Sequence, residues 1–263
     1  MEMGLGLGLL LPCLRGQSAP AYYNPFTTNP ASGSYVRVDQ ASARWQDTAG
    51  TIPAVAEDDP VMRLDDLSGN GANWIWSNAG NPPLLRLGGD APAIETSYPG
   101  QFNVSDAGFS GSEITVGLSL NRTELSADQG ARNSNIFKTM NDNIDCTNDN
   151  LGSSGAGRFR ANIKRDGAQL QVQVNDWDTH FPVDQNTVFL FQADSGEAVL
   201  RLNQSSAGSD TDTPADLLSF GTAYYLLATT PTLLYGGIVK TGTVDEAERA
   251  LIEEALVQMH GGS

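Results

Sequence analysis

The stretch from Trp45 to Arg86 most limits what this chain can fold into, because turn-forming residues interrupt it at short intervals. Asp47-Thr48-Ala49-Gly50 and Ser68-Gly69-Asn70-Gly71 supply the positive φ angles and the side-chain-to-backbone hydrogen bonds that tight turns need. Asp59-Pro60 fixes an extended segment between these turns. The pattern leaves little room for a helix and predicts surface loops that join short strands.

Alternating apolar and polar residues predict further strands downstream. From Glu113 to Leu120 every second side chain is apolar, as expected of a strand that covers a core with one face. The runs Phe159–Ile163 and Leu170–Val174 alternate in the same way, and Arg165-Asp166-Gly167 between them is a hairpin signal. Many short strands of this kind are typical of a sandwich.

The end of the chain has a different pattern. Ala223–Ala228 and Leu233–Val239 are apolar enough to predict central strands buried on both faces. Thr243-Val244-Asp245-Glu246 follows and has the form of a capping box, with Thr243 as the cap. An apolar stripe continues from it, so we predict one helix over 244–259; the stripe comprises Val244, Ala247, Leu251, Ile252, Ala255 and Leu256.

Several of these motifs occur together, in the same order, in one known family. They are Trp45-Gln46-Asp47, Ala49-Gly50-Thr51, Asp59-Pro60-Val61, Asp66 to Gly71, the alternating glycines and leucines of Gly4 to Leu9, and Gly236 to Val239 followed by Thr243 to Arg249. The chain thereby resembles the concanavalin-A-like, laminin-G-type jelly-roll domains of tailed-bacteriophage virion proteins. The resemblance implies an all-β jelly-roll sandwich with an extended N-terminal arm and one C-terminal α-helix. We divide the chain into an arm at residues 1–30 and a jelly-roll domain at 31–263.

The arm is apolar at its start. Glycine alternates with leucine, which places Leu5, Leu7 and Leu9 on one face of an extended strand, with Leu10 and Leu11 directly after. A short apolar strand needs a partner, so these leucines are candidates for anchoring to other proteins or to sister copies, or for padding the domain's own sheet. We do not expect a signal peptide, because Glu2 stands where a basic residue is required.

Net charge restricts the partners. The chain has 15 Lys and Arg against 31 Asp and Glu, a formal charge of −16. Because nucleic-acid binders neutralise phosphates with clustered basic residues, we expect no nucleic-acid partner.

The apolar run at the start is too short to span a bilayer, so we expect no membrane span. Two cysteines, Cys13 and Cys146, do not form a disulfide framework and suit assembly in a reducing cytosol.

Catalytic and metal-binding patterns are sparse. A glycosidase on this fold needs two carboxylates on one strand facing the same way, and no strand of the sequence has that pattern, so we expect a protein that is not an enzyme. The oxygen-rich segment from Asn141 to Asn150 is the best supply of calcium ligands. It lacks regular ligand spacing, so we expect no cofactor; if calcium binds, Asp142, Asp145 and Asp149 are the candidate ligands.

Tryptophans give the candidates for sugar binding. Carbohydrate sites use exposed aromatic rings beside planar polar groups, and Trp177 lies between Asp176 and Asp178 in a loop-like segment. We take these three residues as the candidate carbohydrate site. Trp74 and Trp76 are instead expected in the sandwich core or in an interface with a neighbouring subunit.

These observations lead to three functional hypotheses. The first is a structural component of a tailed-phage virion, assembled in the host cytoplasm as a tail-tip, fibre or head-decoration protein. It would be a homo-oligomer, anchored by its arm to other virion structural proteins. The alternative is an adsorption module that binds host surface glycans through the same fold, and a glycoside hydrolase is the third hypothesis.

Overall fold

Strands dominate the fold and form two antiparallel sheets. The computed structural model describes residues 23–28, 32–96, 99–105, 113–123, 133–141, 143–149, 157–166, 168–212, 223–228 and 232–262. The strands in these residues are, in chain order, β1 (Gly33–Arg37), β2 (Arg44–Trp45), β3 (Arg63–Leu64), β4 (Trp74–Trp76), β5 (Leu84–Arg86), β6 (Ala93–Thr96), β7 (Phe102–Ser105), β8 (Ile114–Arg122), β9 (Asn133–Thr139), β10 (Ile144–Asp149), β11 (Arg158–Arg165), β12 (Ala168–Asn175), β13 (Asn186–Ala193), β14 (Glu197–Leu202), β15 (Ser205–Thr211), β16 (Ala223–Ala228) and β17 (Thr232–Thr241).

The two sheets stack as a jelly-roll sandwich, which confirms the predicted all-β fold. Among the described residues, the eight-stranded sheet has the order β15-β14-β13-β8-β17-β6-β5, with β1 paired to β17. The nine-stranded sheet has the order β12-β11-β10-β9-β16-β7-β4-β3-β2. The hairpin predicted at Arg165-Asp166-Gly167 joins β11 to β12, in which Phe159 pairs with Val174 and Ile163 with Leu170.

The core lies between the sheets, where the alternating apolar residues meet. Ile114, Val116, Leu118 and Leu120 of β8 are all buried there, as the alternation predicted. Trp74 and Trp76 are buried as well, and the Trp76 ring meets the Phe102 ring edge-on at a centroid distance of 5.0 Å. These two tryptophans are therefore core residues rather than surface residues.

The Gly236-Gly237 pair of β17 lies in the centre of the eight-stranded sheet, where the backbone passes very close to its neighbours. A Cβ atom on Gly237 would stand 2.7 Å from the Trp74 ring and 2.6 Å from Leu118 Cδ2. Because real side chains do not pack at such distances, glycine at this position allows Trp74 to fill the core.

Three helices accompany the strands in the described residues: α1 (Pro25–Thr28), α2 (Trp177–His180) and α3 (Glu246–Met259), together with a 3₁₀ turn at Ala41–Ala43. The predicted C-terminal helix is confirmed as α3, but its start at 244 and its cap at Thr243 were wrong. Asp245 is extended, and its side chain accepts a hydrogen bond from the backbone N–H of Glu248 at 2.8 Å. An aspartate cap replaces the threonine because its carboxylate reaches the third helical amide. No helix in the described ranges is long and apolar enough to cross a membrane.

Helix α3 packs on the outward face of the eight-stranded sheet. Ile252, Leu256 and Met259 join a second apolar cluster with Tyr35 and Ile238, on the side of the sheet away from the core. The predicted apolar stripe was too wide, since Leu251 is 43% exposed. The central strands of this sheet, β13, β8 and β17, are thus covered on both faces, and β17 is buried at every position except the half-buried Leu233, close to the prediction.

The segment 23–28 also belongs to this layer, although we had assigned it to the arm. Phe26 is buried in the second apolar cluster, and the Tyr23 hydroxyl donates to Glu248 Oε1 at 3.3 Å. Glu248 also forms an ion pair with the buried Lys240. The structured domain therefore begins before residue 30, and Leu5, Leu7, Leu9, Leu10, Leu11 and Cys13 lie outside the described residues. Cys146 is a buried free thiol whose pKa is raised well above its ordinary value, first by burial and then by Asp145.

His260, which caps α3, gives a pH-dependent contribution to stability. Its Nδ1 lies 2.9 Å from Ser119 Oγ, and burial lowers the imidazole pKa below its ordinary value of 6.5. The unfolded chain therefore binds more protons than the folded one just below pH 6.5, so this contribution is complete above that pH and is lost on acidification.

We predict that His260→Gln, which keeps a polar partner for Ser119, loses less stability than the wild type between pH 7 and pH 5. Urea unfolding midpoints across this range measure the difference. His180→Gln is the matched control, because it removes the other histidine of the chain, which is exposed. Parallel profiles for the wild type and His260→Gln would contradict the assignment.

Candidate functional site

The cluster predicted to bind sugar, Asp176, Trp177 and Asp178, is a structural corner. Trp177 is completely buried, so the prediction of an exposed ring was wrong. Its ring stacks on Phe159 at a centroid distance of 4.8 Å and meets Phe181 edge-on at 5.3 Å. Both of these phenylalanines belong to the core. In the sequence, the polar residues on either side of Trp177 did not indicate that its ring would pack against them. The faces of the Trp177 ring are therefore not available to a ligand.

The two flanking aspartates have separate structural roles. Asp178 forms an ion pair with the fully buried guanidinium of Arg122, which also lies 5.6 Å from the centre of the Phe181 ring. Asp176 is exposed and adopts a left-handed backbone conformation, with φ of 53°, immediately before α2. An aspartate is one of the few residues that accept this conformation readily. The ion pair between Asp178 and Arg122 thus holds this loop against the core.

Two of the three predicted calcium ligands lie along one strand. Asp142 lies outside the described residues, whereas Asp145 and Asp149 both belong to strand β10 rather than to a loop. Four residues along a strand separate their Cα atoms by about 13 Å, which is further than two aspartates on one ion can reach. Asp145 Oδ1 instead accepts a hydrogen bond from Thr147 Oγ1 at 2.6 Å. Within the ranges that the structure describes, no three His, Cys, Asp or Glu side chains are placed to hold a metal.

Burial patterns identify a different candidate, the outward face of the nine-stranded sheet. Strands β8 and β17 of the eight-stranded sheet are buried at nearly every position, since α3 covers them. In β4 and β11, burial instead alternates, and every second residue is half-buried or exposed. The nine-stranded sheet therefore presents one face to the core and the other to solvent.

One continuous row of side chains crosses this solvent-facing surface. The strand registers place one residue of each strand opposite the next, which puts their Cβ atoms about 5 Å apart. We call this set the outward row; it comprises Trp45 (β2), Arg63 (β3), Ile75 (β4), Asn103 (β7), Tyr225 (β16), Lys138 (β9), Asp145 (β10), Asn162 (β11) and Gln171 (β12). All are half-buried except Gln171, which is exposed.

The first end of the outward row holds a tryptophan in a fixed orientation. Trp45 Nε1–H donates to Asp65 Oδ2 at 2.8 Å, and Arg63 Nε–H donates to the other oxygen of the same carboxylate at 2.6 Å. A half-buried indole ring is thus held beside a guanidinium and a carboxylate. Such an arrangement combines an apolar surface with planar hydrogen-bonding groups.

The centre of the outward row holds a tyrosine. Tyr225 pairs with Asn103 on one side and with Lys138 on the other. Four strand spacings separate it from Trp45, a distance of about 19 Å. We had predicted β16 to be buried on both faces, and its described side chains are buried except for the half-buried Tyr225.

Carboxamides hold the far end of the outward row in place. Asn162 Oδ1 accepts hydrogen bonds from Gln171 Nε2 at 2.7 Å and from Gln169 Nε2 at 2.9 Å. Gln173 Nε2 donates to Asn175 Oδ1 at 3.0 Å. Because these amides are already oriented by one another, their remaining donors and acceptors point in defined directions.

The fold has solved relatives, although no protein-family model matches the chain. No curated protein sequence matches it either. Domain 4 of AbnA, an extracellular arabinanase from Geobacillus stearothermophilus solved in complex with arabinotriose, has a TM-score of 0.56 at 15% identity, over 84% of this chain and 98% of that one.

Two toxin domains are similar to this chain as well. The ligand-binding domain of botulinum neurotoxin serotype D, solved with N-acetylneuraminic acid, has a TM-score of 0.58 at 9% identity over 88% of this chain. The binding domain of Paraclostridial Mosquitocidal Protein 1 has a TM-score of 0.53 at 12% identity over 80% of this chain. The match spans about half of each toxin domain, 52% and 55%. At these identities the likeness establishes the shared β-sandwich fold.

We predict that Trp177→Ala destabilises the protein by about 3–5 kcal/mol, because it removes a fully buried ring from the core. Urea unfolding measures the loss. His180→Ala, on the same short helix but exposed, should unfold close to the wild-type midpoint. If Trp177→Ala were as stable as the wild type, its ring would not be a core residue.

Proposed function

We propose that this protein is a non-catalytic glycan-binding module and that the outward row on the nine-stranded sheet is its binding surface. The observation that carries the proposal is the register that aligns Trp45 and Tyr225 with oriented carboxamides on one open face. This surface replaces the Trp177 cluster as the candidate site.

The chemistry of the outward row suits a sugar chain. A sugar ring has apolar faces, which pack on aromatic rings, and a rim of hydroxyl groups, which both donate and accept hydrogen bonds. Trp45 and Tyr225 supply rings, whereas Asn103, Asn162 and Gln171 supply donors and acceptors in the same row. The separation of about 19 Å between the two rings favours a ligand of several sugar units over a single one.

Preorganisation supports binding at this face. The indole of Trp45 is held through Asp65, and the carboxamide of Asn162 is held by two glutamines. Groups that are already fixed lose less conformational entropy when they meet a ligand, so more of the contact energy remains as affinity. A regular sheet is also a more rigid support than a loop.

Saccharide complexes of the solved relatives agree with this proposal. The arabinanase domain is described in complex with arabinotriose, and the serotype D toxin domain in complex with N-acetylneuraminic acid. Both are saccharides bound by domains of this fold. The relatives are also named as a separate domain of an enzyme and as ligand-binding domains, in keeping with a binding role rather than catalysis.

The proposed face and the segment 23–28 lie on opposite sides of the sandwich. Tyr23 and Phe26, where the described chain begins, pack on α3 and the eight-stranded sheet. A protein tethered by its arm would therefore direct the nine-stranded sheet outward, as an adsorption module requires. The virion location, the anchoring leucines, the virion partner proteins and the homo-oligomer stay predictions from the sequence.

We predict that Tyr225→Ala weakens glycan binding by about tenfold, or about 1.4 kcal/mol, because it removes the central ring of the outward row. Trp45→Ala should weaken it to a similar extent. A glycan array with the purified protein identifies a ligand, and calorimetric titration of the variants measures the change.

Leu251→Ala is the matched control, since Leu251 is an exposed apolar residue on α3, on the other side of the sandwich. Its affinity should equal that of the wild type, and a cooperative unfolding transition should show that Tyr225→Ala and Trp45→Ala remain folded under the conditions of the titration. The proposal fails if no saccharide binds, or if Tyr225→Ala and Trp45→Ala bind as tightly as Leu251→Ala.

A further inference from the structure

The first half of the outward row has a composition that repeats at every second strand. Apolar and polar side chains alternate from each strand to the next across β2, β3, β4, β7 and β16. We call these five residues the alternating track; they are, in strand order, Trp45, Arg63, Ile75, Asn103 and Tyr225. The rest of the outward row, on β9 to β12, is polar at every position.

The apolar members of the alternating track are evenly spaced. Two strand spacings, about 9.5 Å, separate Ile75 from Trp45 on one side and from Tyr225 on the other. Ile75 is half-buried, whereas its chain neighbours Trp74 and Trp76 are buried on the core side of the same strand. None of the three apolar members belongs to either core cluster. The open face therefore carries three apolar contacts with a regular period.

The polar members of the alternating track are fixed by their neighbours. Arg63 donates from Nε to Asp65 at 2.6 Å and from Nη1 to the carbonyl of Ala49 at 3.2 Å. Asn103 Oδ1 accepts a hydrogen bond from Gln101 Nε2 at 2.9 Å, which leaves the N–H donors on the other side of the Asn103 amide. Because Asp65 neutralises Arg63, the track offers oriented planar groups rather than an unpaired charge.

We infer that the glycan bound at this face is a flat, extended chain of β-1,4-linked sugars that runs across the strands along the alternating track. The inference rests on the proposed glycan-binding function. In such a chain each sugar is turned over relative to the one before it, so every second sugar presents the same ring face. One sugar unit is about as long as the spacing of about 4.8 Å between neighbouring strands. Every second sugar therefore packs on Trp45, Ile75 or Tyr225.

The sugars between these contacts meet the polar members of the track. Their hydroxyl groups lie over Arg63 and Asn103, whose planar groups are already oriented for hydrogen bonding. A longer chain continues over the polar half of the outward row. An α-1,4-linked chain instead curves into a helix, so its sugars leave a straight row after a few units, and a rigid sheet does not follow that curve.

The test compares two chains that differ only in their linkage. Cellohexaose and maltohexaose both contain six glucose units, and the first is β-1,4-linked whereas the second is α-1,4-linked. We expect calorimetric titration to show that cellohexaose binds at least about tenfold more tightly. With mannohexaose, xylohexaose and α-linked arabinohexaose added to the panel, the tightest ligand should be one of the β-1,4-linked chains.

Two substitutions of Ile75 test the period of the alternating track. Ile75→Val keeps an apolar side chain, whereas Ile75→Thr has nearly the same shape but presents a hydroxyl, and both residues are β-branched and suit a strand. Ile75→Val should bind the tightest β-1,4-linked chain within about twofold of the wild type, and Ile75→Thr should bind it about threefold to fivefold more weakly. A cooperative unfolding transition should show that both variants are folded.

Contrary results separate the inference from the proposed function. If maltohexaose or arabinohexaose binds at least as tightly as every β-1,4-linked chain, and Tyr225→Ala is still impaired, the inference fails and the proposed function stands. Equal affinities of Ile75→Thr and Ile75→Val would remove Ile75 from the site and overturn the alternating track. Failure to bind any saccharide overturns both the inference and the proposed function.

Discussion

The close contact between α3 and the eight-stranded sheet determines the arrangement of the whole domain. Glycines make the contact possible: a Cβ on Gly117 would lie 2.7 Å from Leu256 Cδ1, and one on Gly236 would lie 2.6 Å from Met259 Sδ. The helix can therefore bury its apolar side directly on the strands, and the ion pair between buried Lys240 and Glu248 joins the two layers further. The outer side of the central strands β13, β8 and β17 is thus covered.

The nine-stranded sheet takes the complementary role. Its outer side chains are half-buried or exposed, and they combine rings, amides and charges in registered rows. The side of the sandwich that carries α3 also holds Tyr23 and Phe26, so the segment 23–28 and the proposed binding face are separated by the thickness of the core. The same packing that stabilises the domain therefore leaves the nine-stranded sheet as the proposed binding side.

Local patterns were enough to predict individual elements. The alternation of apolar and polar residues correctly predicted which residues of β8, β11 and β12 face the core. The apolar stripe correctly predicted helix α3, except for its cap and the exposed Leu251. Position in the assembled sheets could not be predicted. Trp45 and Tyr225 are far apart in sequence and belong to one row only because of the strand order. Trp177 has polar neighbours in the sequence, but its ring is buried against Phe159. Asp145 and Asp149 were likewise predicted to be calcium ligands in a loop, whereas the pairing of β10 with β11 shows that they lie along a strand.

The three lysines of the chain allow a direct test of the binding face. Lys138 and Lys164 lie on the outer side of the nine-stranded sheet, whereas Lys240 is fully buried and serves as an internal control. Amine acylation, followed by mass spectrometry, should show that a saturating bound oligosaccharide slows the labelling of Lys138 and Lys164, while Lys240 stays unlabelled with and without ligand. Unchanged labelling of Lys138 and Lys164 in the saturated complex would contradict a binding site on this face.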